Sequence, residues 1–205
     1  MGKKCVVVEG ITDYWLLKAL DAVLAIRHPD KALDTEIILV PAGGTSRLMP
    51  LASLMYGAAG VKGKNMLVLL DSDTEGANAK KRLETDLFVA DSRVIPLGSV
   101  LNMPKATVED FVERATYAAA LNDAGYAIKL DAAEQEASCN VDACSAAFKR
   151  LGLGEFDHIP KTRAALRLAD RWAKEPNAVE QTTIDKVAAL FKVFSELYGD
   201  RKSVV

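Results

Sequence analysis

The chain has 205 residues, 50% apolar, 26% charged and 6% aromatic, a length that suits one ordinary domain, or one and a half, with a sizeable core. This composition excludes a disordered chain, a collagen-like repeat and a disulfide miniprotein. With 26 basic and 28 acidic residues the net charge is −2, so no global positive field advertises nucleic acid. No apolar run reaches the roughly 18 to 20 residues needed to span a bilayer, so no membrane partner is expected. The opening MGKKCVVVEG holds an apolar run of only residues 5–8, too short for a secretion signal. Cys5, Cys139 and Cys144 form no CxxC pair; they point to a reducing cytoplasm, no zinc site, and buried thiols rather than a bond between Cys139 and Cys144.

Residues 1–115 alternate short β-branched runs with amphipathic stretches. The runs at 5–8, 37–40, 66–70 and 94–97 are continuously apolar and bounded by Gly, Asp or Pro, as expected of parallel strands covered on both faces. The stretches 12–26, 46–58 and 75–83 carry apolar residues at helical spacing, most clearly Leu16, Leu17, Leu20, Val23 and Leu24. This alternation predicts βαβαβαβ, an open parallel sheet flanked by helices. From Thr107 onward only helical pattern remains, at 108–122, 141–151, 161–173 and 182–197. Loops fall near 137–140 and 151–159, and the last five residues read as frayed. The chain is therefore expected to be an α/β sheet domain, 1–115, followed by a helical lobe, 116–205. The first strand begins almost at Met1, which suggests a piece of a longer protein.

Acidic residues recur where strands end. Glu9 closes the first run in Val8-Glu9-Gly10, Asp71 and Asp73 close the third in Leu70-Asp71-Ser72-Asp73, and Glu109 and Asp110 lie beyond the fourth. In an open parallel sheet, ligands gather outside the carboxyl ends of the strands, so these side chains would converge on one edge. Several carboxylates brought together repel one another unless a cation neutralises them. Oxygen donors without His or Cys favour Mg²⁺ or Mn²⁺ over zinc. Asp13 adds a further carboxylate on the first turn of the following helix, where it also suits the helix dipole. Taken singly, Asp13 reads equally as a first-turn charge, Asp73 as a helix N-cap and Glu109 as a surface residue. The set at strand ends is what points to a metal site.

The stretch Asp71-Ser72-Asp73-Thr74-Glu75-Gly76 fits an EF-hand at its first, third and sixth positions, but Arg82 stands where the bidentate Glu belongs and a strand precedes the loop. It also resembles the first motif of haloacid-dehalogenase-type phosphatases, which would make Asp71 the nucleophile of a Mg²⁺-dependent phosphohydrolase. Two βα units precede it here, and no later strand ends in paired aspartates. The third reading is the Toprim pattern, a Glu-Gly after the first strand and an Asp-x-Asp after the third. Both halves are present in order, about 60 residues apart.

On Val8-Glu9-Gly10-Ile11-Thr12-Asp13, Pro41-Ala42-Gly43-Gly44, Leu70-Asp71-Ser72-Asp73, Thr107-Val108-Glu109-Asp110-Phe111 and Ile159-Pro160-Lys161-Thr162, the sequence resembles the nuclease half of the OLD (overcoming lysogenization defect) family. The likeness is greatest to its class 2 branch, whose Toprim core carries a helical extension. The resemblance implies a Toprim, Rossmann-like sheet and a metal-dependent DNA endonuclease. It implies two Mg²⁺- or Mn²⁺-type ions held by Glu9, Asp13, Asp71, Asp73 and Glu109, some through water, with Ca²⁺ able to occupy the site without supporting catalysis. Glu9, Asp71, Asp73 and Lys161 would be the catalytic set. Family members join this region to an ABC-type ATPase; no Walker A loop occurs here, so the implied partners are DNA and an N-terminal ATPase domain, with oligomers allowed. A topoisomerase would need a nucleophilic tyrosine, and none of the five tyrosines has a context that marks it as one. A non-catalytic Toprim-like binding module is the remaining alternative, against which the intact Glu9 and Asp-x-Asp argue.

Outside the sheet, Lys161 reads either as a first-turn surface lysine after Pro160 or, by the resemblance, as an ammonium beside the scissile phosphate. Arg163, Arg167 and Arg171 form one helical stripe that would track a DNA backbone; a solvated face with Asp170 nearby explains them as well. Gly43, Gly44, Thr45 and Ser46 could offer amides to a phosphate or simply make a tight turn and N-cap. His28 and His158 lack partners at ligand spacing, and Trp15 is expected in the core. Split along the chain, the charge is uneven: residues 1–146 hold 15 basic and 20 acidic side chains, residues 147–205 hold 11 and 8. Near-neutrality thus hides an acidic sheet domain that needs cations and a mildly basic lobe suited to a nucleic-acid strand.

Overall fold

The computed structural model of the protein describes residues 4–58, 65–87 and 89–199; the frayed end expected at 201–205 lies outside the described residues. Strands β1 (Lys4–Val8), β2 (Ile37–Pro41), β3 (Met66–Leu70) and β4 (Val94–Pro96) form one parallel sheet in the order β2-β1-β3-β4. Val8 lies opposite Pro41, Val7 opposite Val68, and Leu70 opposite Pro96. The chain winds outward from β1 to β2, then crosses back to the other side of β1 to make β3. The winding therefore reverses between β1 and β3, which opens a crevice at their carboxyl ends.

Strand pleating explains the continuous apolar runs. Val6, Val8, Leu67, Leu69 and Ile95 face one helical layer, while Cys5, Val7, Met66, Val68, Leu70 and Val94 face the other. Leu16 and Leu20 of α1 (Ile11–Arg27) fill the first layer, and Leu48 and Ala52 of α2 (Thr45–Ala58) with Ala79 and Leu83 of α3 (Thr74–Asp86) fill the second. After a one-turn α4 (Leu97–Leu101), helix α5 (Arg114–Asp123), the short α6 (Ala132–Gln135), α7 (Asn140–Leu151), α8 (His158–Lys174) and α9 (Gln181–Gly199) follow. Tyr117, Phe148, Leu168, Trp172, Phe191 and Phe194 from these later helices join the α1 layer, so the helical lobe shares one core with that face of the sheet. Tyr198 of α9 reaches the sheet, its hydroxyl donating to the carbonyls of Cys5 and Asn65.

Three local expectations are corrected. The continuous helix expected over 108–122 is a 3-10 turn, Val108–Phe111, followed by the separate α5. Its break has a visible cause: the Asn140 side-chain amide donates to the carbonyls of Glu109 and Val112, 2.9 Å each, so these carbonyls serve Asn140. Short α4 and α6 occupy stretches too brief to show a periodicity. Trp15 is 41% exposed and not a core residue, because it lies outside the buried Leu16–Leu20–Leu24 face of α1 and turns to the surface beside Tyr14. All three cysteines are buried and free, as expected. Among the described residues, no helix is long and apolar enough to cross a membrane.

Candidate active site at the carboxyl edge of the sheet

Glu9 and Asp71 follow β1 and β3 directly, so they flank the point where the winding reverses. The loop after β2 closes over this edge. Ala42 and Gly44 donate their amides to the carbonyls of Val8 and Glu9, at 2.9 and 2.8 Å. Gly43 and Gly44 have φ of +84° and +112°, backbone values that disfavour a side chain. The amide of Gly44 is thus committed to Glu9, which favours the tight-turn reading of this loop over a phosphate cradle.

The Asp71-Ser72-Asp73 loop is fixed from three directions. The Ser72 amide donates to the Ala106 carbonyl at 2.7 Å, and the Ser72 hydroxyl accepts from the Gly98 amide at 2.7 Å. Asp73 is the N-cap of α3 and accepts from the Gly76 amide at 2.8 Å. Gly76 lies so close to the Asp71 carbonyl that a Cβ there would overlap it. Asp13 accepts from the Gly10 amide at 2.8 Å at the start of α1. Both aspartates therefore perform the helix-end roles their positions suggested, and both still belong to the acidic edge.

Glu109 is only 2% exposed, and so not the surface residue that its position alone allowed. A network holds its backbone. The Asp110 carboxylate accepts from the Thr107 amide at 2.8 Å and the Asn140 amide at 2.6 Å, while Asn140 in turn holds the Glu109 carbonyl. Asp110 is occupied with these amides and acts as a scaffold. The Thr107–Asp110 pair has capping-box spacing and could have been read as such; Asn140, 30 residues away, carried no signal.

Lys161 enters from the first turn of α8, placing its Nζ 3.6 Å from Glu109 Oε1. Helix α8 packs along α1, where the hydroxyls of Thr12 and Thr162 meet at 3.4 Å. Electrostatics knit the group together. Burial, then the charges of Asp13 and Asp73, push the Glu9 carboxyl up to about 7, against a hydrogen bond from the Asp71 amide. Burial and the neighbouring Glu109 push Asp13 up to about 7. Burial, then Asp13, Glu109 and Glu9, carry Asp71 well above the usual carboxylate range. Burial alone would lower the Lys161 ammonium, but Glu109, Asp71 and Asp13 hold it above the ordinary lysine value.

This donor set suits a hard cation in its chemistry: oxygen donors only, strong mutual repulsion, and a buried Glu9 Oε1 that lacks a hydrogen-bond partner. As arranged here, though, no three His, Cys, Asp or Glu side chains among the described residues are gathered to hold a metal ion. Lys161 supplies the positive charge at the cluster.

A cleft of about 850 Å³ opens on the β3–β4 side of the loop, lined by Asp71, Asp73, Asn78, Pro96, Pro104 and Lys105. Arg163, Arg167 and Arg171 are all exposed on α8, opposite its buried Ala164, Ala165, Leu168 and Trp172. Arg163 lies over the Tyr126 ring, 5.8 Å from its centroid. His158 is an exposed residue at the start of α8, beside Asp157.

No protein-family profile and no curated protein matches the sequence. Among solved structures, the chain is similar to the C-terminal region of the Burkholderia pseudomallei OLD protein, at 16% identity and a TM-score of 0.48, over 94% of this chain and 98% of that one.

Proposed function

We propose that the protein is a metal-dependent DNA endonuclease, the nuclease region of a longer cytoplasmic protein that also carries an ATPase domain. The observation that carries this reading is the juxtaposition of Glu9 and Asp71 at the switch point of the sheet with Asp13, Glu109 and Lys161. Glu9, Asp13, Asp71, Asp73 and Glu109 would hold Mg²⁺ or Mn²⁺, with Ca²⁺ a non-supporting occupant. Bound there, a pair of such cations supplies an activated water, charge stabilisation for the pentacovalent phosphate, and neutralisation of the leaving oxygen.

The chain's own residues account for the remainder. The caps at Asp13 and Asp73 fix those carboxylates on rigid helix starts, and the Asp110–Asn140 network holds Glu109 in place. Lys161 offers a fixed ammonium to negative charge developing on a phosphate. The exposed arginines run away from the cluster along α8, with about 15 Å between residues 161 and 171. That suits a backbone lying along the helix.

The test is supercoiled plasmid incubated with Mg²⁺ or Mn²⁺ and the wild type, Asp71→Ala and Lys161→Ala proteins. Metal-dependent nicking that both substitutions abolish is the expected result. Arg163→Ala/Arg167→Ala/Arg171→Ala should weaken DNA binding and flatten its salt dependence while leaving the fold intact. Hydrolysis of a small phosphomonoester with no effect on plasmid would replace this reading with the Asp71-nucleophile phosphohydrolase. DNA binding without any cleavage would make the protein a non-catalytic module.

A further inference from the structure

Lys161 approaches the acidic loop from the α1 face, because α8 packs on α1. The 850 Å³ cleft lies on the β3–β4 side of the same loop, against the first turn of α3. One cation in this cleft is fully committed: Lys80 is ion-paired to both Glu84 and Asp91. The other, Lys105, is different. Its side chain is 41% exposed, and it lines the cleft with Asp71 and Asp73. It forms an ion pair with Asp142 of α7, at 2.5 Å. Asp142 is itself oriented by the Ser138 hydroxyl at 2.7 Å. The ammonium is thus held beside a cleft whose lining includes Asp71 and Asp73.

We propose that Lys105 binds a backbone phosphate of the nucleic-acid substrate on the β4 side of the Asp71–Asp73 loop, so that the strand crosses the carboxyl edge of the sheet between Lys105 and Lys161. This deepens the nuclease reading and rests on it. An anion cannot enter an acidic cleft without a compensating charge, and among the described residues Lys105 is the cation there with exposure to spare. Asp142 positions Lys105 and competes with the phosphate for it.

A fluorescein-labelled DNA duplex, titrated in Ca²⁺ at several salt concentrations, tests the proposal with the wild type, Lys105→Ala, Lys105→Arg and Asp142→Asn proteins. Lys105→Ala should bind about fivefold more weakly and lower the slope of log affinity against log salt by about 0.9, one phosphate contact. Lys105→Arg should restore both. Asp142→Asn frees the ammonium from its partner and should bind as well as the wild type or more tightly. If the Lys105–Asp142 pair served the fold alone, both disruptive variants would weaken binding together and lower Tm together; that result overturns the proposal. Wild-type binding that Lys105→Ala leaves unchanged also overturns it while sparing the nuclease reading. A wild type that binds no DNA removes both.

Discussion

Lys161 Nζ lies 3.6 Å from Glu109 Oε1, and Glu109 is only 2% exposed. This pair joins the two parts of the chain at the site: the carboxylate follows the sheet, and the ammonium belongs to a helix some 50 residues later. Breaking a buried pair from one side leaves an uncompensated charge. Lys161→Met should therefore cost about 2 kcal/mol of stability at neutral pH in chelator, and less at acidic pH, where the neighbouring Asp13 and Asp71 carboxyls take up protons. Urea unfolding at pH 5.5 and 7.5 measures it, and an equal loss at both would contradict the counter-ion role.

The raised carboxyls set a pH dependence with a definite sign. Glu9 and Asp13 stand at about 7 in the folded chain, whereas unfolded carboxyls titrate near 4. Between these values the folded state holds protons that the unfolded state has released. Stability from this source is fully present below about pH 4 and is lost as pH rises through about 7. A divalent cation binds the deprotonated form, so Mn²⁺ should raise Tm more at pH 8 than at pH 5.5. A Tm unaffected by Mn²⁺ at either pH would count against a metal site.

Removing one charge should separate stability from activity. Asp71 is buried among Asp13, Glu109 and Glu9, which all disfavour its ionised form. Asp71→Asn should raise metal-free stability at pH 8 by about 1 kcal/mol. It should also abolish plasmid nicking and shrink the Mn²⁺-dependent gain in Tm. Urea curves in chelator check the first, plasmid nicking the second, and thermal melts with and without Mn²⁺ the third.

Backbone packing fixes the loop as firmly as charge does. A Cβ on Gly76 would overlap the Asp71 carbonyl oxygen, and backbone cannot swing aside as a side-chain tip can. Gly76→Ala should cost about 2–4 kcal/mol and displace Asp71. Loss of the Mn²⁺-dependent Tm shift, beyond the fall in basal Tm, would locate the damage at the loop.

Asp110 is predicted to differ from its neighbour Glu109. Its carboxylate accepts from the buried amides of Thr107 and Asn140. Asp110→Ala should destabilise by about 2–3 kcal/mol by orphaning both donors. At low temperature, where the variant stays folded, it should still nick plasmid, unlike Glu109→Ala. Equal inactivity of two folded variants would place Asp110 in the chemistry after all.

The sequence by itself determined much of this protein. Strands 5–8, 37–40, 66–70 and 94–97 and the α1, α8 and α9 stripes were legible because burial on both faces of a parallel sheet, or on one side of a helix, imposes a local period. The grouping of Glu9, Asp71 and Asp73 was legible too, since parallel strands bring their carboxyl ends to one edge. Tertiary structure decided the rest, through contacts that no local period encodes. Asn140 broke the expected helix at Val112, since its amide takes two carbonyls 28 and 31 residues away. Trp15 followed helical spacing but fell outside the face that α1 turns to the sheet. Lys161 could stand as a surface lysine or a site residue until α8 packed on α1 and carried it to Glu109. Lys105 gained its place only when α7 brought Asp142 beside the cleft. A strand end announces where carboxylates gather; which distant cation meets them depends on how the helices pack.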